Sequence, residues 1–509
     1  MPLRLSSLAL LLAFAPLATA QSPAASAAAQ PAPPTLKLST RIVVLDVVVT
    51  DKKGNLVDNL TRDDFTILED KIPQTIRGFD PPSGHVQPPD VIVKDAQDLK
   101  EIGDAPVTIL VLDELNTRFE DMSYARNATI KYLKAQPAVL KQPTVLLLAT
   151  NTRFLELHDY TQDRDALIDV INHHMPEYPS KMMAGKSGGV AVERIAQSLA
   201  SLEQIAQASS GTPGRKNVLW IGNGFPSANI AGLDPATAQT ILDAVKQCTD
   251  MLLAARITMY TINPTANSTT TIDVSDPDDM GNAQDENGGD PYAGGVQFST
   301  FAPATGGRAF LSRNDIHNEI AEGIAAGANY YTLAYAPTNR TGDTAKYRNI
   351  RIVMKDPNLH ATTRNGYYPA AASTHIASTE PPKQARAQLQ LDISSAVNSA
   401  ISYNGLDVQA RKDGPSYLLT VKSAGLDWNP ADAANERAEA TIIAAWYDAK
   451  GKLLGHSGKE LTALRPASSQ TDAATFTLPI APLPPSATRL RLIVRDASNG
   501  HMGTTDLKP

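Results

Sequence analysis

The spacing of apolar positions changes along this chain, and each change marks a new kind of structure. From Leu36 to about residue 80 short β-branched runs are split by turn residues, as in RIVVLDVVVTDKKGNLVDNLTRDDFTILEDKIPQTIRGFD. The alternation predicts strands over 41–50, 64–69 and 74–80, with a turn from Asp51 to Asn55. So few strands cannot close a core alone, so this layer needs strands from elsewhere. Residues 81–104, rich in Pro and Asp, read as a connector. Beyond them, wholly apolar strands alternate with helical stripes. Strands are expected over 107–113, 143–150, 153–158, 217–222 and 257–262, and helices over 120–135, 163–174, 190–209, 235–255 and 314–327. Helix 190–209, for example, places Val192, Ile195, Leu199, Leu202 and Ala206 on one stripe. Apolar strands between helices predict a mostly parallel sheet covered on both faces.

From Tyr330 the strand pattern returns in NYYTLAYAP, KYRNIRIVMKD and HATTRNGYYP. These read as the missing strands of the first layer. An α/β domain at 104–330 would then be inserted into a β-domain made of 38–80 and 331–370. That arrangement predicts that strands 41–50 and 348–354 share a sheet. Residues 371–388 read as a linker. Residues 389–509, with SYLLTVKSA, EATIIAAWYDAKGKLL, ATFTLPI and RLRLIVRDASNGHMG, read as a C-terminal β-sandwich-like domain.

Composition narrows the setting. A chain of 509 residues, 42% hydrophobic and 19% charged, is folded material in several domains. A net charge of -7 and no Lys/Arg cluster argue against a nucleic-acid partner. MPLRLSSLALLLAFAPLATAQ has a positive Arg4, an apolar stretch from Leu8 to Leu17 and small residues at Ala18 and Ala20. It reads as a signal peptide over 1–20, cleaved after Ala20, which implies a secreted, periplasmic or extracellular protein. Residues 21–37, containing SPAASAAAQPAPP, read as a flexible Ala/Pro linker. No later stretch is apolar enough for a transmembrane segment. Cys248 is the single cysteine, so no intramolecular disulfide forms. Its helical spacing with Ile241, Val245 and Leu252 marks it as a buried thiol.

In parallel α/β sheets, ligands meet the carboxyl ends of the strands. Two ends carry polar loops here: Asp113-Glu114-Leu115-Asn116-Thr117 and Gly222-Asn223-Gly224-Phe225-Pro226. In a doubly wound order these loops would be neighbours. Asp113 is then a metal ligand, a catalytic acid or the polar tip of a strand.

At this point a family resemblance emerges. DVVVTDKKGNLVDNLTRDDFTILEDKIPQTIRGF, ILVLDELNTRFEDMSYARNATIKYL, GRKNVLWIGNGFP, ATGGRAF, YYTLAYAP and YRNIRIVM…RNGYYP occur in this order over roughly 40–370. In this the chain resembles the secreted VWFA-related family of acidobacteria, and its α/β segment looks like a von Willebrand factor A domain. The resemblance implies an α/β plus β fold, with a doubly wound, mostly parallel Rossmann-like sheet flanked by β-sandwich-like domains. It also implies comparison with the metal-ion-dependent adhesion site of A domains. That site has a D-x-S-x-S loop, a Thr from a second loop and an Asp from a third. Carried over, Asp113 takes the Asp position and Thr117 the second Ser. Leu115 falls on the first Ser and cannot coordinate. Asn223 falls on the third-loop Asp, and Ser187 is the weak match for the Thr. The implied metal set, Asp113, Thr117 and Asn223, is degenerate. Mg2+ or another divalent cation is the cofactor it would take, and no other cofactor is expected.

Other motifs weigh less. GKSGG at 185–189 matches G-x-S-x-G, but EYPSKMMA before it is no strand, as a nucleophile elbow requires. The acidic loop DVSDPDDMGNAQDENGGD at 273–290 has Met280 and Asn287 where an EF-hand needs ligands. It reads as a solvated partner-contact loop within 263–295. His173 and His174 are adjacent on a helix and diverge, so they cannot chelate together. The expectation is an exported, non-enzymatic binding protein that meets a protein partner in the cell envelope or outside the cell. Asp113, Glu114, Asn116, Thr117 and Asn223 are the expected partner-contact residues. A hydrolase or metal-dependent enzyme using the same cleft would need a His or second acid near Asp113. A structural envelope component would need no site at all.

Overall fold

The computed structural model describes residues 42–151, 153–176, 188–226, 234–265, 291–292, 297–311, 315–338, 346–369, 382–432, 434–468 and 471–509. The first strands are β1 (Val43–Asp51), β2 (Phe65–Glu69), β3 (Ile72–Gln74) and β4 (Ile76–Asp80). β1 has a strict period of two at its start. Val43, Leu45, Val47 and Val49 are buried, while Val44 is exposed.

The α/β segment then contributes β5 (Val107–Asp113), α1 (Phe119–Lys134), β6 (Val139–Ala149), β7 (Phe154–Asp163) and α2 (Arg164–His173). It continues through α3 (Gly188–Ser209), β8 (Lys216–Ile221), α4 (Pro235–Ala254) and β9 (Ile257–Ile262). It closes with α5 (Phe301–Thr305), β10 (Ala309–Phe310) and α6 (Ile316–Ala328). Its six-stranded sheet has the order β10-β9-β8-β5-β6-β7, parallel except for the β6–β7 pair. β5, β8 and β9 are buried along their whole length. Alternate residues feed two cores. Ile109, Val111, Val218, Trp220 and Met259 pack against α3 and α4. Leu110, Leu112, Leu219 and Ile221 pack against α1, α2 and α6. Continuous apolar strands are the sequence signature of this two-faced burial. Cys248 lies within the α4 side of the first core, and burial pushes its thiol well above the usual range.

The chain then returns to β structure with β11 (Tyr331–Tyr335), β12 (Arg348–Met354), β13 (Leu359–Thr362) and β14 (Gly366–Tyr367). Two antiparallel sheets result, β13-β1-β11-β4 and β14-β12-β2-β3. Each mixes strands from before and after the α/β segment. Strands 41–50 and 348–354, expected in one sheet, lie in different ones. β1 finds its edge partners in β11 and β13, while β12 pairs with β2. The two strands meet through their inward side chains, Leu45 and Val47 on one side and Ile350 and Ile352 on the other, in a common core.

Part of the expected linker is ordered. Residues 371–381 lie outside the described set, but α7 (Pro382–Asn398) is a helix. It is followed by β15 (Val408–Asp413), β16 (Ser416–Lys422), β17 (Asn429–Pro430) and β18 (Asn435–Tyr447). β19 (Leu453–Pro466), β20 (Ala473–Pro479), β21 (Arg489–Asp496) and β22 (Met502–Leu507) complete the chain. One sheet is β15-β16-β20. The other is β17-β18-β21-β22, with β19 on the far side of β18. Leu419, Phe476, Ile442 and Leu492 share the core between the sheets. Ala396 and Val397 of α7 cover the outer face with Ile443, Ala445 and Ile493.

Polar seams join the α/β sheet to its neighbours. At its lower end Arg256 Nη2 donates to Asp46 Oδ1 (2.7 Å) and to Thr332 Oγ1 (3.2 Å), tying the α4–β9 turn to β1 and β11. At the β7 edge, Glu156 faces Arg491 and Asp506 of the C-terminal sheet. Burial pushes its carboxyl up to about 7, with Asp159 adding to the rise and Arg491 opposing it. A carboxyl raised on folding favours the folded state at low pH, and that contribution is lost as pH rises through the folded value. The thermal midpoint should therefore fall as pH rises through about 7. Glu156→Gln should flatten the fall when midpoints are compared by calorimetry across that range. An unchanged pH slope in the variant would contradict the assignment.

Candidate functional site

β5 ends at Asp113, alongside β6 at Ala149. The parallel neighbour β8 runs into the 222–226 loop. The two loops are adjacent because β5 and β8 pair in register from Val107↔Lys216 to Leu112↔Ile221. Asp113 is wholly buried between them. Its Oδ1 accepts from the N–H of Leu115 (3.1 Å) and Asn116 (3.0 Å). Its Oδ2 accepts from the N–H of Gly224 (2.7 Å) and from the Trp220 indole (3.2 Å). One carboxylate thus holds its own loop with one oxygen and the neighbouring loop with the other. Burial raises its pKa, while the N–H groups of Asn116, Gly224, Trp220 and Leu115 pull the other way.

Further bonds repeat the clasp. Asn116 Nδ2 donates to Gly224 O (2.6 Å) and to Ser198 Oγ on α3 (2.9 Å). The Asn223 N–H donates to Thr117 Oγ1 (3.1 Å), and Asn223 Nδ2 donates to Asn116 O (3.1 Å). Thr265 Oγ1 donates to Asn223 Oδ1 (3.2 Å). The loops approach so closely that two glycines are required. A Cβ on Gly222 (φ 148°) would fall 2.3 Å from Asp113 Cβ and 2.6 Å from Thr117 Oγ1. A Cβ on Gly224 (φ 68°) would fall 2.0 Å from the Phe298 ring.

All five expected contact residues come together, but not as a contact surface. Asp113, Glu114, Asn116 and Thr117 are each less than 5% exposed, and Asn223 is half-buried. Their polar groups turn inward because the strand-end N–H and C=O groups need partners once buried. Leu115 points into the core packed by α3, and its carbonyl accepts from Arg194 Nη1 (3.1 Å).

The set Asp113, Thr117 and Asn223 does not fit a divalent cation. Such an ion needs oxygen lone pairs directed at it, about six in octahedral array for Mg2+. Both Asp113 oxygens are instead met by two N–H groups each. The Thr117 hydroxyl accepts an amide, and the Asn223 carbonyl oxygen accepts a hydroxyl. Among the described residues no group of three or more His, Cys, Asp and Glu is placed to hold a metal. Ser187, the GKSGG motif up to that residue, and the acidic loop 273–290 lie outside the described residues.

One feature escaped the sequence reading. His174 Nε2 lies 3.1 Å from Glu114 Oε1, and both side chains are largely buried. Arg126 Nη2 holds the end of α2 by donating to His174 O (2.8 Å). His173, by contrast, is exposed and pairs with Asp169 (3.1 Å), so the two histidines do diverge. Sixty positions separate Glu114 and His174, and only the return of α2 to the sheet top brings them together. Trp220 was equally hidden. In an apolar strand it reads as core, and nothing in the pattern marks its indole N–H as a partner for Asp113.

No protein-family model and no curated protein matches the chain. Among solved structures, the crystal structure of the SpRpn10 VWA domain aligns at 12% identity. The alignment covers 32% of this chain and 89% of that one, with a TM-score of 0.17. A likeness that slight supports no argument about fold or function.

The clasp makes a sharp mutational prediction. Asp113→Ala leaves buried N–H groups without an acceptor and should cost about 3 kcal/mol or more of stability. Asp113→Asn should also destabilise, because an NH2 group replaces an oxygen that accepts two N–H donors. Gly222→Ala should cost about 2 kcal/mol by overpacking. Denaturation of the three variants checks this. A neutral Asp113→Asn would contradict the four-donor geometry.

Proposed function

We propose that this chain is an exported, non-enzymatic binding protein. On this reading a doubly wound A-type sheet presents its carboxyl-end loops to a protein partner in the cell envelope or outside the cell. The observation that carries the reading is the four-donor bonding of Asp113. A carboxylate so engaged is spent on fixing two loops against each other. It is not available to move a proton or hold a cation. Fixed loops lose little entropy on association, which is what a docking platform requires. The buried residues Asp113, Glu114, Asn116 and Thr117 then set the shape of the platform, and the contacts come from exposed neighbours such as Met175, which is 84% exposed beside His174. Export rests on the signal-like residues 1–20. No helix among the described residues is long and apolar enough to cross a membrane.

The Glu114–His174 pair favours a second reading. A carboxylate bonded to an imidazole is half of an acid–base device, and an enzyme using this cleft would need it. Among the described residues no Ser, Thr or Cys is bonded to the His174 ring. A structural envelope role, the third reading, needs neither pair nor platform.

Site-specific photo-crosslinking separates these readings. A photoreactive residue at Met175 should capture a discrete envelope or extracellular protein from the native source. The same residue at Val86, 71% exposed and near the opposite end of the sheet, should not. Equal capture at both positions, or none at Met175, would overturn the binding reading. A hydrolytic activity abolished by His174→Gln would establish the enzymatic one.

A further inference from the structure

β19 pairs with β18 along its length, from Asn435↔Pro466 to Tyr447↔Leu453. Its other edge has no strand partner among the described residues. β18 is sealed on both faces: Ile442 and Ala444 lie in the core between the sheets, and Ile443 and Ala445 lie under α7. The cover does not reach the middle of β19, although Leu453 packs under α7 and Leu461 and Ala463 reach the core between the sheets. His456, Ser457, Gly458, Lys459 and Glu460 are all exposed, on both faces of the strand. The far edge of the same sheet is treated differently. β22 is closed by residues 403–406, through Thr504 N–H to Tyr403 O (2.8 Å), Leu406 N–H to Met502 O (3.1 Å) and the Asn404–Gly503 bridge. One edge is capped and the other is long and open. An open edge offers a row of unpaired N–H and C=O groups to another strand.

We propose that β19 pairs antiparallel with β19 of a second copy of this chain, so that two C-terminal sheets become one continuous sheet. A two-fold axis that extends a sheet across its edge stands normal to the sheet. Opposed residues therefore lie on the same face, and the axis passes midway between a residue and its own copy. This restricts the register. Centring on Lys459 or on Glu460 sets like charges directly opposite, which opposes pairing. Centring on Gly458 sets Glu460 opposite His456 of the second copy, twice by symmetry, and Lys459 opposite Ser457. No side chain collides at the axis, because Gly458 has none. His456, Lys459 and Glu460 take no ion pair or side-chain hydrogen bond among the described residues, so the pairing displaces no internal partner. Moving the axis one residue towards the C-terminus, a slip of two residues between the strands, would put Lys459 against Lys459, so charge rejects that register.

Sedimentation equilibrium of the full mature chain tests this over a wide concentration range. A reversible monomer–dimer equilibrium is expected. His456→Glu, which places carboxylates opposite each other, and Glu460→Lys should each weaken the dimer about tenfold, since the contact occurs twice. The double variant H456E/E460K sets a carboxylate opposite an ammonium and should recover most of the loss. The positions are exposed, so thermal midpoints of the monomers should match the wild type, which separates the effect from misfolding. A chain that stays monomeric throughout would overturn the proposal. So would a dimer insensitive to either single change, or capture of a different protein along β19 while the chain remains monomeric.

Discussion

A single buried carboxylate governs the top of the α/β sheet. Asp113 stands at the end of a strand buried on both sides, where two chain segments must turn back within a few residues of each other. Buried turns leave N–H groups without partners, and each one left bare costs about 1–3 kcal/mol. Asp113 satisfies three backbone N–H groups and one indole at once. Gly222 and Gly224 are needed because the clasp leaves no room for a side chain. Asn116, Thr117 and Asn223 then close the remaining gaps between the loops.

Below this clasp, the sheet acts as a rigid carrier. Its strands supply alternate residues to two cores, so neither face can shift without disturbing the other. Its lower end is bonded to the N-terminal sandwich through Arg256 and Asp46, and its β7 edge meets the C-terminal sheet near Glu156. The clasped loops, the sheet beneath them and the open β19 edge therefore belong to one connected body. A partner at the loops and a second copy at β19 would use separate surfaces of it.

Much of this was legible in the chain. The switch from VTILVL to DELNT marks a buried strand meeting a polar loop, and the strand indeed spans Val107–Asp113. Helical stripes located α1, α3 and α4 to within a few residues. What failed shows where pattern stops. Period two says that β1 and β12 each bury one face, but not whether they pair edge to edge or meet face to face. The start of α7, residues 382–388, falls in the expected linker because its sequence is polar, while its later residues Ala396 and Val397, expected in the β-domain, cover the sheet from a helix. β7 runs to Asp163, beyond the expected 158, because neighbouring segments cover its mixed polar sequence. At the site, the residue types and their adjacency could be read, but their direction could not. Asp, Asn and Thr beside a strand end look the same whether they face solvent, a cation or the loop's own amides. Only the N–H positions distinguish these cases, and they depend on Trp220, Gly224 and Ser198, which lie far from the loop in sequence.

Calorimetric titration of the chain with Mg2+ and Mn2+ bears most directly on the role of Asp113. With both oxygens occupied by N–H donors, no saturable heat and no rise in thermal midpoint are expected at millimolar cation. Saturable binding that is lost in Asp113→Asn would contradict the account and place a cation where the clasp is drawn.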